Sequence, residues 1–183
     1  HDYLRRAVER RYLAQASDKH SAHTSLINWF DALPAGARSS RELVWNLHAI
    51  GATGTLQKVL ANVQHFMWLY SSDTDSEVSR YWSELGDPTM VEDAYRDGLT
   101  QWRQNGSPDF EETDVLARVG ELLERKGRLR EALRIQDERL SLARMREDAF
   151  EMTNARLALG VLQMRLGENA TALSELKQVA DFF

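Results

Sequence analysis

Val115–Leu140 reads VLARVGELLERKGRLREALRIQDERL, and Ala155–Ala180 reads ARLALGVLQMRLGENATALSELKQVA. At an offset of 40, Gly120 meets Gly160, Leu122 meets Leu162 and Arg125 meets Arg165. The same offset aligns Gly127 with Gly167, Ala132 with Ala172 and Leu133 with Leu173. A self-match at this period marks stacked units, each of which buries its apolar face only against its neighbours. Surfaces of that kind bind other chains far more often than they carry out chemistry.

Inside each unit the order is a helix, a turn at Gly127 or Gly167, and a second helix. Gly120 and Gly160 carry no side chain to hold two helices apart, and Ala132 and Ala172 allow the same approach from the facing helix. Four helices are expected, over roughly 112–126, 129–146, 150–166 and 169–182. This small-residue signature resembles the tetratricopeptide repeat. The period of 40 resembles the extended repeats of the kinesin-light-chain kind more than the usual ~34. One large-residue site departs from the pattern, with Leu123 in the first unit and Gln163-Met164 around it in the second.

The resemblance implies an all-α, right-handed α-solenoid of antiparallel helix pairs, with two repeats at about 112–147 and 150–183. In such stacks the first helices line a groove for extended or helical peptides. The inward positions carried over are Asp114, Ala117, Arg118, Glu121 and Arg125, then Asn154, Leu157, Ala158, Val161 and Arg165. Of these, Arg118, Glu121, Arg125, Asn154, Val161 and Arg165 are the candidate partner-binding residues. Arginine at both 125 and 165 suits capture of carboxylate or phosphate, which suggests an acidic protein or peptide partner. Glu121 also precedes Arg125 by four, an ordinary pair within one helix.

Upstream, helical spacing continues. Leu4, Val8 and Tyr12 give a first helix, and Leu26, Ile27, Phe30 and Leu33 the face of a second. Ser39 and Glu42 fit a capping box ahead of Leu43, Leu47 and Ile50. Leu56, Val59, Leu60 and Val63 predict one helix running on through Phe66 to Leu69, and Val78, Tyr81, Trp82 and Leu85 the next. Asp87-Pro88 reads as a helix start before Val91, Ala94, Tyr95, Leu99 and Trp102. Asn105 to Pro108 is the expected boundary, dividing a helical arm at 1–105 from the repeats at 106–183. No stretch alternates like a strand.

Residues 7–104 carry a second resemblance, through Ala7-Val8-Glu9-Arg10-Arg11-Tyr12-Leu13, Trp29-Phe30, Arg41-Glu42-Leu43-Val44-Trp45-Asn46-Leu47 and Tyr81-Trp82. They are similar to the helical segment after the winged helix in STAND-type nucleotide switches of the NACHT and nephrocystin-3 kind. That resemblance implies an upstream ATPase module, a ciliary setting and nephrocystin-type partners. The direct entry of His1 into a helical pattern and the stop at Phe183 suggest a segment of a longer protein.

Composition narrows the remaining classes. A net charge of −5 argues against general attraction to nucleic acid or an anionic membrane. The absence of cysteine removes disulfides and thiolate metal sites and fits a reducing, cytoplasmic compartment. No apolar run reaches the ~20 residues of a membrane span. The acidic stretch Asp73 to Asp97 reads as a solvated helix face.

Catalytic and cofactor signals are weak. Gly51-Ala52-Thr53-Gly54 with Lys58 lacks the ending of a phosphate loop and reads as a helix–helix turn. His20 and His23 are spaced for a metal but find no further ligands nearby. His48 and His65 read as hydrogen-bonded packing histidines, and Trp29, Trp45, Trp68, Trp82 and Trp102 as core. The expectation is a non-catalytic interaction segment without metal or cofactor. The alternative is a regulatory arm that restrains or oligomerises an upstream nucleotide switch.

Overall fold

The computed structural model describes Tyr3, Arg11 and residues 15–70, 75–86, 88–105 and 109–182. The expected helix at Leu4–Tyr12, the Asp87 cap and the break at 106–108 lie outside them. The described residues are helical with no strand, in ten helices. These are α1 (Ala16–Asp31), α2 (Ala37–Ala49), α3 (Thr53–Ala61), α4 (Val63–Leu69), α5 (Asp75–Leu85) and α6 (Pro88–Asn105). The last four are α7 (Glu112–Arg125), α8 (Leu129–Met145), α9 (Ala149–Arg165) and α10 (Asn169–Ala180). They match the four helices expected from the repeat within a residue or two at each end.

The chain forms two compact units, His1–Ser71 and Ser72–Phe183. The anticipated change of character near 105–108 therefore falls inside the second unit, and side chains explain why α5 and α6 belong with the repeats. Lys126 donates to the Ser79 carbonyl and to Ser83 Oγ at 2.8 Å, and Arg128 Nε donates to Glu92 at 2.9 Å. Arg103 bridges Glu112 and Glu138 at 2.7 and 2.6 Å. Burial pushes the Lys126 ammonium below its ordinary value.

In the first unit α2 is central, packing against α1, α3 and α4. It buries Leu43, Val44 and Leu47, and with them the polar Ser40 and Asn46. Each buried polar group finds a histidine: Ser40 Oγ lies 2.9 Å from His65 Nδ1, and Asn46 Oδ1 lies 2.7 Å from His23 Nδ1. Burial lowers the His65 pKa, with Asp31 opposing weakly. His23 thus has a packing role, set edge-on to Trp45. His48 is exposed instead of packed.

Several local expectations are corrected here. Ser39 does not cap α2; Gly36 does, and the Ser39 hydroxyl donates back to the Pro34 carbonyl at 2.8 Å. The helix expected across Leu56–Leu69 is two, because the Asn62 side chain accepts from the amides of Gln64 and His65 and starts a new helix. Trp29, Trp45 and Trp68 are exposed, whereas Trp82 is core and its indole donates to the Tyr95 hydroxyl. On α1 only Phe30 is buried; Leu26 on that helix and Leu33 just after it are exposed.

In the second unit the repeat is visible in contacts. A Cβ on Gly120 would overlap Gln136 Nε2, and one on Gly160 would meet Leu176 Cγ at 2.8 Å. Position 120 thus faces 136 as 160 faces 176, so α7 and α8 fold back on each other as α9 and α10 do. The turns share one backbone form. Gly127, Glu147 and Gly167, 20 residues apart, all adopt positive φ (72°, 56° and 81°). In each, that amide and the next bond back to carbonyls three and five residues earlier. This is a helix-ending motif in which the left-handed residue frees the last carbonyls for capping. Between hairpins, Leu140 packs with Ala155 and Leu159, and Leu133 and Met152 border that cluster.

Candidate partner-binding face

The second hairpin has an unusual distribution of polarity. α9 sends its charges toward neighbouring helices: Glu151 pairs with Arg139 of α8 at 2.5 Å, and Arg156 lies 3.5 Å from Glu175 of α10. The Arg139–Glu151 pair is almost buried, at 10% and 13% side-chain exposure. Arg156 Nε, Glu175 Oε2 and Gln163 Oε1 are buried without a hydrogen bond. The opposite side of α9 is apolar. Phe150, Asn154, Leu157, Val161 and Met164 follow at spacings of 4, 3, 4 and 3, which places them on one stripe. Phe150 is 65% exposed, Leu157 47% and Met164 48%. Single exposed apolar side chains are ordinary on a protein surface, and a stripe of them along a helix makes this face the candidate contact surface.

One repeat earlier the corresponding positions are Phe110, just ahead of α7, and Asp114, Ala117, Glu121 and Glu124 on it. Here the charges pair with one another. Arg118 lies 3.9 Å from Glu121, and Glu121 accepts from Arg125 at 2.9 Å. Arg165 crosses from α9 to Glu124 of α7 at 2.6 Å. Arg125 and Arg165 therefore hold equivalent places with different partners, because the counterpart of Glu121 is Val161. Asn154 and Val161 are half-buried on the stripe itself.

The fold thus brings Arg118, Glu121 and Arg125 into one ladder, joins Arg165 of α9 to Glu124 of α7, and leaves Asn154 and Val161 half-buried on α9. Acids and bases here neutralise one another in exposed pairs, each worth about 0–1 kcal/mol. Covering the apolar stripe would contribute more, at ~25 cal/mol per Å² of apolar surface removed from water. Phe150 and Met164 were not among the candidate residues. Their 3.5-residue spacing with Leu157 and Val161 was the available signal.

Among the described residues no cluster of three or more His, Asp or Glu could hold a metal ion, and no helix is long and apolar enough to cross a membrane. No protein-family model matches the chain, and neither a curated protein nor a solved structure matches it significantly.

Proposed function

We propose that the chain is a non-catalytic interaction segment of a larger signalling or scaffold protein. In this reading its last four helices form a right-handed, tetratricopeptide-like solenoid whose groove seats a partner polypeptide. The reading rests chiefly on the α9 stripe, where Phe150, Leu157 and Met164 are exposed beside the half-buried Val161, while Glu151 and Arg156 of the same helix face α8 and α10. A helix apolar on an uncovered side suits an apolar helical or extended ligand. Arg118, Glu121, Arg125 and Arg165 would fix its register and favour acidic flanks by exchanging partners. A cytoplasmic setting, a STAND-type nucleotide switch upstream and nephrocystin-type partners belong to the same proposal.

Selection of a displayed peptide library against the chain tests it. Enriched peptides should lose most of their affinity for Met164→Asp, and less for Arg125→Glu/Arg165→Glu. Peptides that bind Met164→Asp as tightly as wild type would remove the stripe from the proposal.

A second reading draws on the first unit, where Trp29 and Trp45 are 55% and 50% exposed. Those rings would dock the arm against the nucleotide switch and restrain it. ATPase activity of the intact protein should then rise on Trp45→Ala, and no change would count against restraint.

A further inference from the structure

The glycine turns at 127 and 167 have an earlier counterpart. Gly86, 41 residues before Gly127, also adopts positive φ (105°) and follows α5 directly. At that offset Val78, Tyr81 and Trp82 of α5 fall on Val119, Leu122 and Leu123 of α7, and all six are buried. Val91, Tyr95 and Leu99 of α6 fall on Ala132, Gln136 and Leu140 of α8, again all buried. A further 40 residues on stand Leu159, Leu162 and Gln163 of α9, then Ala172, Leu176 and Ala180 of α10. The small Ser79 occupies the place of Gly120 and Gly160. One set of inward positions around a left-handed glycine defines one supersecondary unit.

We propose that α5–α6 is a third unit of the stack, alike in backbone and diverged in sequence. Contacts between the first helices of the units carry this independently of burial. Arg165, at the end of α9, donates to Glu124 of α7 at 2.6 Å. Lys126, just past α7, donates to Ser83 of α5 at 2.8 Å. Ser83 and Glu124 are equivalent at the 41-residue offset, so each first helix reaches back to the same place on the one before it. Between units, Leu140 packs with Ala155 and Leu159, and their equivalents Leu99, Val115 and Val119 are 2%, 0% and 0% exposed.

Aromatic residues hide this unit from a search by sequence. Tyr81, Trp82 and Tyr95 replace Leu122, Leu123 and Gln136, and the rings of Trp82 and Tyr95 lie 5.8 Å apart across the hairpin. A third unit also suits the energetics, since arrays of this kind need about three units to bury a continuous core. The inference holds whether or not the face binds a partner. It moves the ladder of Arg118, Glu121 and Arg125 from the first unit of a pair to the middle unit of three. The reach of Arg165 to Glu124, made one unit earlier by Arg125, ends at Ser83 and its neighbour Glu84. Glu84 lies 3.7 Å from Arg80, and Arg125 donates to Glu121 at 2.9 Å. A link from Arg125 to Glu84 therefore joins two pairs, each within one helix, into a network that sets α5 against α7.

A pair of internal deletions in the full chain tests the register. Removing Ser83–Leu123, 41 residues, joins Trp82 to Glu124 and splices α5 in phase onto the turn of the next unit. Removing Ser83–Glu121, 39 residues, joins Trp82 to Leu122 and rotates α5 by about 200° against that turn. Circular dichroism and denaturant unfolding should show wild-type helix content per residue and cooperativity for the first deletion, and a loss of both for the second. Deletions that behave alike overturn the third unit. A double-mutant cycle needs no deletion. Native-state hydrogen exchange of the α5 amides should speed up about two- to fivefold in Glu84→Gln and in Arg125→Gln. The double variant should exchange more slowly than the product of the two effects, because the second change removes a link already broken. Strict additivity overturns the shared register.

Discussion

The two C-terminal hairpins share a backbone and differ in polarity. In α7–α8 the outward positions of the first helix hold paired charges, and the interior holds Val115, Leu116, Val119, Leu122 and Leu123. In α9–α10 the first helix carries Phe150, Leu157 and Met164 outward and sends Glu151 and Arg156 inward. Shape is set by a few small and left-handed residues, namely Gly120 and Gly160, Ala132 and Ala172, and the turns at 127, 147 and 167. Outside those positions the same hairpin tolerates opposite surfaces. One hairpin carries paired charges on its outer face and the other carries exposed apolar side chains.

The largest predicted effect lies at Arg139, whose counterpart one repeat later is Val179. Arg139→Met should cost about 3 kcal/mol, because it strands Glu151 between α8 and α9. Adding Glu151→Leu should recover much of that loss. Denaturant unfolding measures both, and an unchanged midpoint for the single variant would mean the pair carries no structural weight.

The matched glycines separate the hairpins next. At Gly120 an added methyl meets the flexible amide end of Gln136, whereas at Gly160 it meets the branch carbon of Leu176. Gly160→Ala should destabilise by roughly 1–3 kcal/mol through overpacking. Gly120→Ala should cost much less, since helix propensity returns up to about 1 kcal/mol and the amide can swing aside. Equal costs would contradict this difference in packing.

Acid extends the comparison to the first unit. Burial depresses the His65 pKa below its ordinary 6.5, so the unfolded chain takes up a proton more readily than the folded one. Stability of the first unit should be full above about pH 6.5 and should fall as pH drops from there toward the folded-state pKa. Trp29 and Trp45 fluorescence against pH follows this loss, and His65→Gln should flatten it. A wild-type profile that is already flat would show that the Ser40–His65 contact is not held in solution.

The smallest effect concerns the middle turn. Glu147 occupies a left-handed conformation that glycine fills in the two equivalent turns. Glu147→Gly should therefore stabilise by about 0.5–1 kcal/mol, and Gly127→Ala should destabilise by a similar amount. A lower melting temperature for Glu147→Gly would contradict the shared turn geometry.

Much of this was legible in the sequence where spacing carries the signal. The repeat placed α7 to α10 and the close approaches at Gly120 and Gly160, because small residues at fixed offsets have few other uses. Asn62 was legible and missed: an asparagine ahead of Val63 is a helix start, but the apolar run through it reads as continuous. The tryptophans misled because size suggests burial, whereas burial depends on which helix covers the ring; Trp82 has Tyr95 against it, while Trp29 and Trp45 stay half exposed. Of the candidate site, the recurrence of arginine at 125 and 165 was legible, yet their acid partners, Glu121 and Glu124, depend on which side chain stands at 121 or 161. The spacing of Phe150, Leu157, Val161 and Met164 was legible, but that this stripe stays uncovered while Glu151 and Arg156 turn toward neighbouring helices depends on the packing of α8 and α10.

Stacking of the hairpins is open to one direct measurement, because the chain contains no cysteine. Leu140, 1% exposed, owes its burial to Ala155 and Leu159 of the next hairpin, whereas its counterpart Ala180 is exposed. Thiol labelling of Leu140→Cys and Ala180→Cys under native conditions should give slow, opening-limited modification at 140 and rapid modification at 180. Equally fast labelling at both positions would contradict a stack of two like hairpins.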